Sequence, residues 1–144
     1  MKTYCVGFMF SQNLQRVALI RKTHPDWQAG KLNGIGGEID SRLALSDEMV
    51  REFAEETGLV TSPDEWNYFA DKTGHDEDWL VYFCYCRGDI DCLVTQDEER
   101  IVIEPVRDVH PYRSDMLPDL PYLIARAHYE LQCEKLPRLE QLGD

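Results

Sequence analysis

The sequence predicts a single domain of α/β (α+β) class, with its elements in the order strands, helix, strands, helix. Three observations carry this. Apolar runs of strand length open the chain and return at 79–86 and 100–106. Two other stretches, at 46–57 and around 120–131, instead repeat their apolar residues every three or four positions. No internal repeat, low-complexity tract or linker divides the 144 residues. A chain of this length can bury one core without disulfides or metals, so residues 1–144 read as one domain holding one site.

Taken in order, residues 3–10 and 15–22 are two apolar runs separated by "SQNLQ", which reads as two strands joined by a short turn. The segment "THPDWQAGKLNGIGG" that follows is rich in Gly, Pro, Asn and Asp and carries Trp27, so it reads as a loop that lines something. A helix is expected over 46–57, with Ser46 as N-cap, Met49, Val50, Phe53 and Ala54 as the apolar stripe, and Gly58 as the residue that ends it. The run "WLVYFCYC" is apolar without interruption and so predicts a strand buried on both faces; "RIVIEPV" predicts another strand. Leu120, Leu123, Ile124, Ala127 and Leu131 then mark an amphipathic helix.

Composition excludes several partners. A formal net charge of −12, with Lys and Arg scattered, repels nucleic-acid polymers and anionic membranes and points to a small-molecule partner. The five cysteines are odd in number and form no C-x-x-C pair, which suggests reduced thiols in a cytoplasmic protein; Cys84 and Cys86 read as small buried hydrophobes on one strand face. The apolar run "CVGFMF" is too short for a signal peptide or a membrane span. The four histidines are scattered and read as surface or satisfied core residues, and neither they nor the cysteines form a Ser-His-Asp or Cys-His arrangement.

The helix at 46–57 is the informative stretch. At about 100° per residue, Glu48, Glu52, Glu55 and Glu56 share one face, opposite the apolar stripe. Like charges four residues apart weaken a helix by roughly 0.2–0.5 kcal/mol per pair. Two readings are open: a solvated face on which Arg51 bridges Asp47 and Glu55, or a wall of carboxylates for a hard divalent cation, Mg²⁺ or Mn²⁺. The adjacent Gly36 and Gly37 ahead of the helix favour the second, because they let backbone approach closely and turn a carbonyl toward an ion.

Written G-x5-E-x7-R-E-U-x-E-E-x-G-U, with U apolar, the stretch matches at Gly37, Arg51, Glu52, Phe53, Glu55, Glu56, Gly58 and Leu59. It resembles the signature of the Nudix hydrolases. The ninth defined position departs: Leu43 stands where that family has a glutamate lying near the motif arginine, and Glu48 or Asp47 are candidates to take its place. The resemblance implies the Nudix α/β/α sandwich, with a mixed sheet and a loop–helix–loop motif, and an enzyme that hydrolyses nucleoside diphosphate-linked compounds with Mg²⁺ or Mn²⁺. Carried over residue by residue, it makes Glu55 and Glu56 the main metal ligands and Glu52 a ligand or the general base. The Gly36 carbonyl would be a further ligand, Arg51 would orient the glutamates, and Glu98 of "TQDEER" would be the carboxylate borrowed from a later loop.

The segments "GKLNGIGGEI" and "RSDMLPDLPY" resemble the base pocket of the MutT-like subgroup, which hydrolyses nucleoside triphosphates, oxidised purine ones included, to a monophosphate and pyrophosphate. On that resemblance Asn33 and Asp119 would read a purine edge, with Leu117 where an aromatic would stack, Leu120 where a second acid would sit, and Trp27 in the lining loop. Asn33 as a turn former and Asp119 as a helix cap are the plainer alternatives. A nucleotide-sugar or ADP-ribose hydrolase of the same family, and a nucleotide-binding module of the same fold with weakened catalysis, also stay open. The sequence leaves the base, the pathway and the choice of monomer or homodimer undetermined.

Overall fold

The computed structural model describes residues 1–134 other than Ser41, His75 and Glu77. His75 is therefore outside the described residues, and the placement expected for it with them.

Seven strands form one mixed sheet: β1 (Lys2–Phe10), β2 (Arg16–Arg21), β3 (Leu32–Asn33), β4 (Ile35–Glu38), β5 (Asn67–Thr73), β6 (Trp79–Arg87) and β7 (Arg100–Pro105). The main path runs β3-β2-β1-β6-β5, with β4 paired to β1 and β7 paired to β2. β1 and β6 are parallel along nine residues, from Lys2 opposite Trp79 to Phe10 opposite Arg87; the other strand pairs are antiparallel. Two helices, α1 (Leu45–Thr57) and α2 (Leu120–Cys133), cover the sheet.

Strand alternation sorts the apolar runs into two cores. On β1, β2 and β6, Val6, Phe8, Phe10, Val17, Leu19, Phe83 and Tyr85 pack with Leu120, Ile124, Ala127 and Leu131 of α2. Their neighbours in sequence, Cys5, Met9, Ala18, Ile20, Cys84 and Cys86, join Met49 and Phe53 of α1 and Trp66 in the second core. This is why these strands read as unbroken apolar runs: each contributes alternate residues to a core on either face. Cys84 and Cys86 share the α1 face, as their spacing predicts. Burial pushes the Cys5 and Cys84 thiols up to about 12, which leaves them protonated and inert.

Three local features differ from expectation. Helix α1 begins at Leu45, with Ala44 at the N-cap in extended conformation and no side-chain cap, so Ser46 lies inside the first turn. The segment read as a loop before α1 contains β3 and β4. β5 was not anticipated; it is the edge of the sheet and is largely exposed, so it lacks a continuous apolar face. Gly58 ends α1 in the left-handed region at φ 79°, its N–H donating to the Ala54 carbonyl, as predicted. No described helix is long and apolar enough to cross a membrane.

Candidate functional site

The site starts from the docking of α1. Met49 and Phe53 are fully buried against the sheet, and this fixes the rotation of the helix and with it the direction of its glutamates. On the β4 side, a Cβ on Gly37 would lie 2.6 Å from Oε2 of Glu52, so glycine is what admits that carboxylate. A Cβ on Gly36 would lie 1.9 Å from the Cys5 carbonyl oxygen, so this glycine answers to the pairing of β4 with β1. The glycine pair thus serves two separate close approaches.

The carboxylate face is not uniformly wet. Glu48 is completely buried and Glu52 nearly so, whereas Glu55 is exposed. Arg51 ties three of them together. Its Nη2 lies 2.9 Å from Glu48 Oε2 and 3.0 Å from Glu52 Oε1, its Nη1 donates to Glu55 Oε1 at 3.0 Å, and its Nε donates to Glu48 Oε1 at 3.3 Å. The bridge to Asp47 considered from sequence is replaced by these to Glu48 and Glu52.

One guanidinium cannot neutralise this group of acids. Burial lifts Glu52 to about 7; Arg51 opposes the rise, and Glu55 and Glu56 add to it. Glu56 is also raised, by burial and then by Glu99 and Asp97 nearby. Glu48 stays below the usual carboxylate range because the Arg51 hydrogen bonds outweigh its burial.

The loop carboxylates that act on Glu56 of α1 are Glu99 and Asp97, the two neighbours of the one expected. Glu98 is exposed, and its N–H donates to Asp97 Oδ1. Glu99 is buried: it accepts from Lys22 Nζ at 3.0 Å and from the Thr23 N–H at 2.7 Å. Burial opposes ionisation of Glu99, but the Thr23 N–H and Lys22 outweigh it and hold the carboxyl below its usual range. β2–β7 pairing sets Arg21 opposite Arg100, which brings Lys22 and Glu99 together just beyond the strand ends.

A cavity of about 730 Å³ opens beside this cluster. Of the residues singled out from sequence, Gly36, Glu56, Trp27, Asn33, Leu117 and Asp119 line it, and Leu120 does too; Glu98 does not. Glu52, Arg51 and Glu55 do not line it; Glu52 packs against Gly37, which does, and Arg51 and Glu55 join Glu52 in the ion-pair network. Lining residues that sequence reasoning missed are Lys22, Asp97, Glu99, Lys72, Trp79 and Phe83. Only Asp97 and Glu99 had a signal, since they flank Glu98 in "TQDEER".

Of the two plain alternatives, Asn33 keeps the local bond of a turn former, whereas Asp119 does not act as a helix cap. Asn33 Oδ1 accepts the Gly34 N–H at 2.8 Å, a turn-like bond, while its Nδ2 faces Gln28 Oε1 at 3.4 Å. Asp119 stands at the N-cap of α2 without capping it; its carboxylate instead pairs with the ammonium of Lys72 on β5. Among the described residues, no three His, Cys, Asp or Glu side chains close around one point as a preformed metal centre would.

No family model matches the sequence, and no curated protein does. Solved structures do match. A MutT/nudix family protein from Enterococcus faecalis aligns with a TM-score of 0.74 at 16% identity, over 97% of this chain and 66% of that one. The Nudix domain of NrtR from Shewanella oneidensis, complexed with ADP ribose, aligns at 0.71 and 18% identity, over 90% of this chain and 87% of that one. A MutT structure from work on Aliivibrio salmonicida and Vibrio cholerae aligns at 0.69 and 19% identity, over 87% and 98%. The chain thus spans 66% of the length of the Enterococcus protein. The mixed sheet between two helices is the fold these Nudix proteins share, and at these identities the likeness is one of fold.

Proposed function

We propose that the protein is a divalent-metal-dependent hydrolase of nucleoside diphosphate-linked compounds, with a purine-type nucleoside triphosphate as preferred substrate and a monophosphate and pyrophosphate as products. The observation that supports it is the single cavity whose wall includes Gly36, Glu56 and Glu99 as well as Trp27, Asn33, Leu117 and Asp119. Acidic oxygens and a base-sized apolar wall with polar groups then serve one ligand.

The donors fit a hard cation. They are all oxygens, and Glu52 and Glu56 are raised first by burial and then by neighbouring acids, both of which a bound cation would offset. Mg²⁺ or Mn²⁺ would be held by Glu52, Glu55, Glu56 and the Gly36 carbonyl, joined by Glu99 or Asp97 in place of the expected Glu98. Bound there, it supplies charge to screen the polyphosphate and acidity to a coordinated water. The chain's own residues do the rest. Glu52 accepts the proton of the attacking water at its carboxylate. Arg51 orients Glu52 and Glu55 through the bonds described above. Leu117, Trp79 and Phe83 offer the base an apolar wall, with Trp27 beside it. Asn33 presents an amide, and Lys72 with Asp119 presents a donor next to an acceptor, the complement of a base edge.

The test is a panel of purine, oxidised purine and pyrimidine triphosphates with ADP-ribose, assayed with Mg²⁺ or Mn²⁺ for monophosphate and pyrophosphate. Asn33→Ala and Asp119→Ala should each lower kcat/KM for the preferred base by about 1–3 kcal/mol, roughly tenfold to a hundredfold, and lower it less for the others. A uniform loss across bases, or none, would return both residues to structural roles. A preference for ADP-ribose would favour the second reading, which the NrtR structural neighbour with that ligand keeps in view. No metal-dependent hydrolysis of any compound would leave a nucleotide-binding module.

A further inference from the structure

We propose that Glu48 is the positioning residue that sets the guanidinium of Arg51, and through it the catalytic-face carboxylates Glu52 and Glu55, while fastening the 38–44 loop to α1. The inference rests on the proposed hydrolase reading for its consequence but on geometry for its substance.

A fully buried carboxylate is costly unless its oxygens are satisfied. Glu48 has no exposed surface, and both of its oxygens are engaged. Oε1 accepts from Arg51 Nε at 3.3 Å, and Oε2 accepts from Arg51 Nη2 at 2.9 Å and from the Asp40 N–H at 2.9 Å. The guanidinium is planar and its five N–H groups form a rigid fork. Taking the Nε and Nη2 edge therefore fixes the whole plane. Nη1 is left to meet Glu55, and Nη2 also stands 3.0 Å from Glu52 Oε1. Glu55 is exposed and could not impose this orientation alone.

The same carboxylate accounts for Leu43. The loop turns at Asp40, whose carboxylate holds the Arg42 guanidinium and N–H, and the Leu43 N–H donates to the Asp40 carbonyl. Leu43 is left 55% exposed. The partner that Arg51 needs arrives from inside the helix, three residues before it.

Glu48→Gln separates the two tasks. The amide keeps the shape and can still accept the Asp40 N–H, but it removes the charge and turns an N–H₂ toward the guanidinium. We expect a folded protein whose kcat drops by about tenfold to a hundredfold with KM little changed, the usual cost of a misplaced catalytic group. The Arg51 Nε–H resonance should lose its protection from exchange, and Glu48→Asp should recover part of both. An unchanged kcat and an unchanged Nε–H resonance in folded Glu48→Gln would overturn the proposal. So would activity that falls only in step with the folded fraction. If Glu48→Gln does not fold, Glu48→Asp carries the same comparison, with intermediate kcat and protection as the supporting result. A parent inactive on every nucleotide would remove the hydrolase reading, while the exchange measurement would still decide whether Glu48 sets Arg51.

Discussion

Helices α1 and α2 lie on opposite faces of one sheet, with 13 and 14 residues respectively. α2 buries Leu120, Pro121, Ile124, Ala127 and Leu131, all apolar. α1 buries Met49 and Phe53, and beside them Glu48, Glu52 and Thr57. By the rules of packing alone α2 is the better element, because each side chain it buries brings transfer free energy without an ionic cost. α1 concentrates acids around a single arginine. On the proposed reading, the difference marks where stability has been exchanged for chemistry: a sequence tends to break local rules at its site and keep them elsewhere.

That contrast can be broken from either side. The largest effect is expected from Glu56→Gln on α1, which keeps the shape and removes a charge crowded by Glu99 and Asp97. Metal-dependent turnover should fall by on the order of a hundredfold or more. The melting temperature should hold or rise, because repulsion is relieved; parental turnover in this variant would refute the metal assignment. The mirror experiment is Ile124→Ala on α2. Ile124 is fully buried, and its truncation should cost about 2–5 kcal/mol in denaturant unfolding. The kcat of the folded fraction should stay at the parental value. If instead both substitutions affected stability and turnover alike, the division of labour between the helices would be wrong. The smallest effect is expected from Leu43→Glu. With Leu43 exposed and Glu48 already on Arg51, neither turnover nor Mg²⁺ affinity should change. A clear gain in either would show that the helix glutamate does not fill that place.

The parts of the fold legible in the sequence were those whose burial is written in the chain's own period. β1, β2, β6 and β7 and both helices stand out as runs or stripes because their side chains face a core. β5 hid because an exposed edge strand has no such pattern, β3 because it is two residues long, and β4 because its glycines look like a loop. One of those glycines is required by a contact with Cys5, more than a helix's length of chain away, and no local reading reveals that. The site divides in the same way. Arg51, Glu52, Glu55 and Glu56 follow from spacing on one helix. The choice between Glu98 and Glu99 depends on strand register, and the capture of Asp119 by Lys72 depends on β5 lying beside the start of α2. Both are facts of pairing between distant segments.

The parallel pairing of β1 with β6 has a consequence for how the chain is made. Thr3 through Phe10 is made well before its partner strand, which ends at Arg87. At about 5–20 residues per second, this apolar strand waits on the order of seconds with an unpaired edge. Long-range parallel contacts also close slowly once both strands are present, since the loop entropy is lost before the pairing compensates it. During synthesis a strand largely buried in the finished molecule thus presents an unpaired apolar edge until β6 has been made.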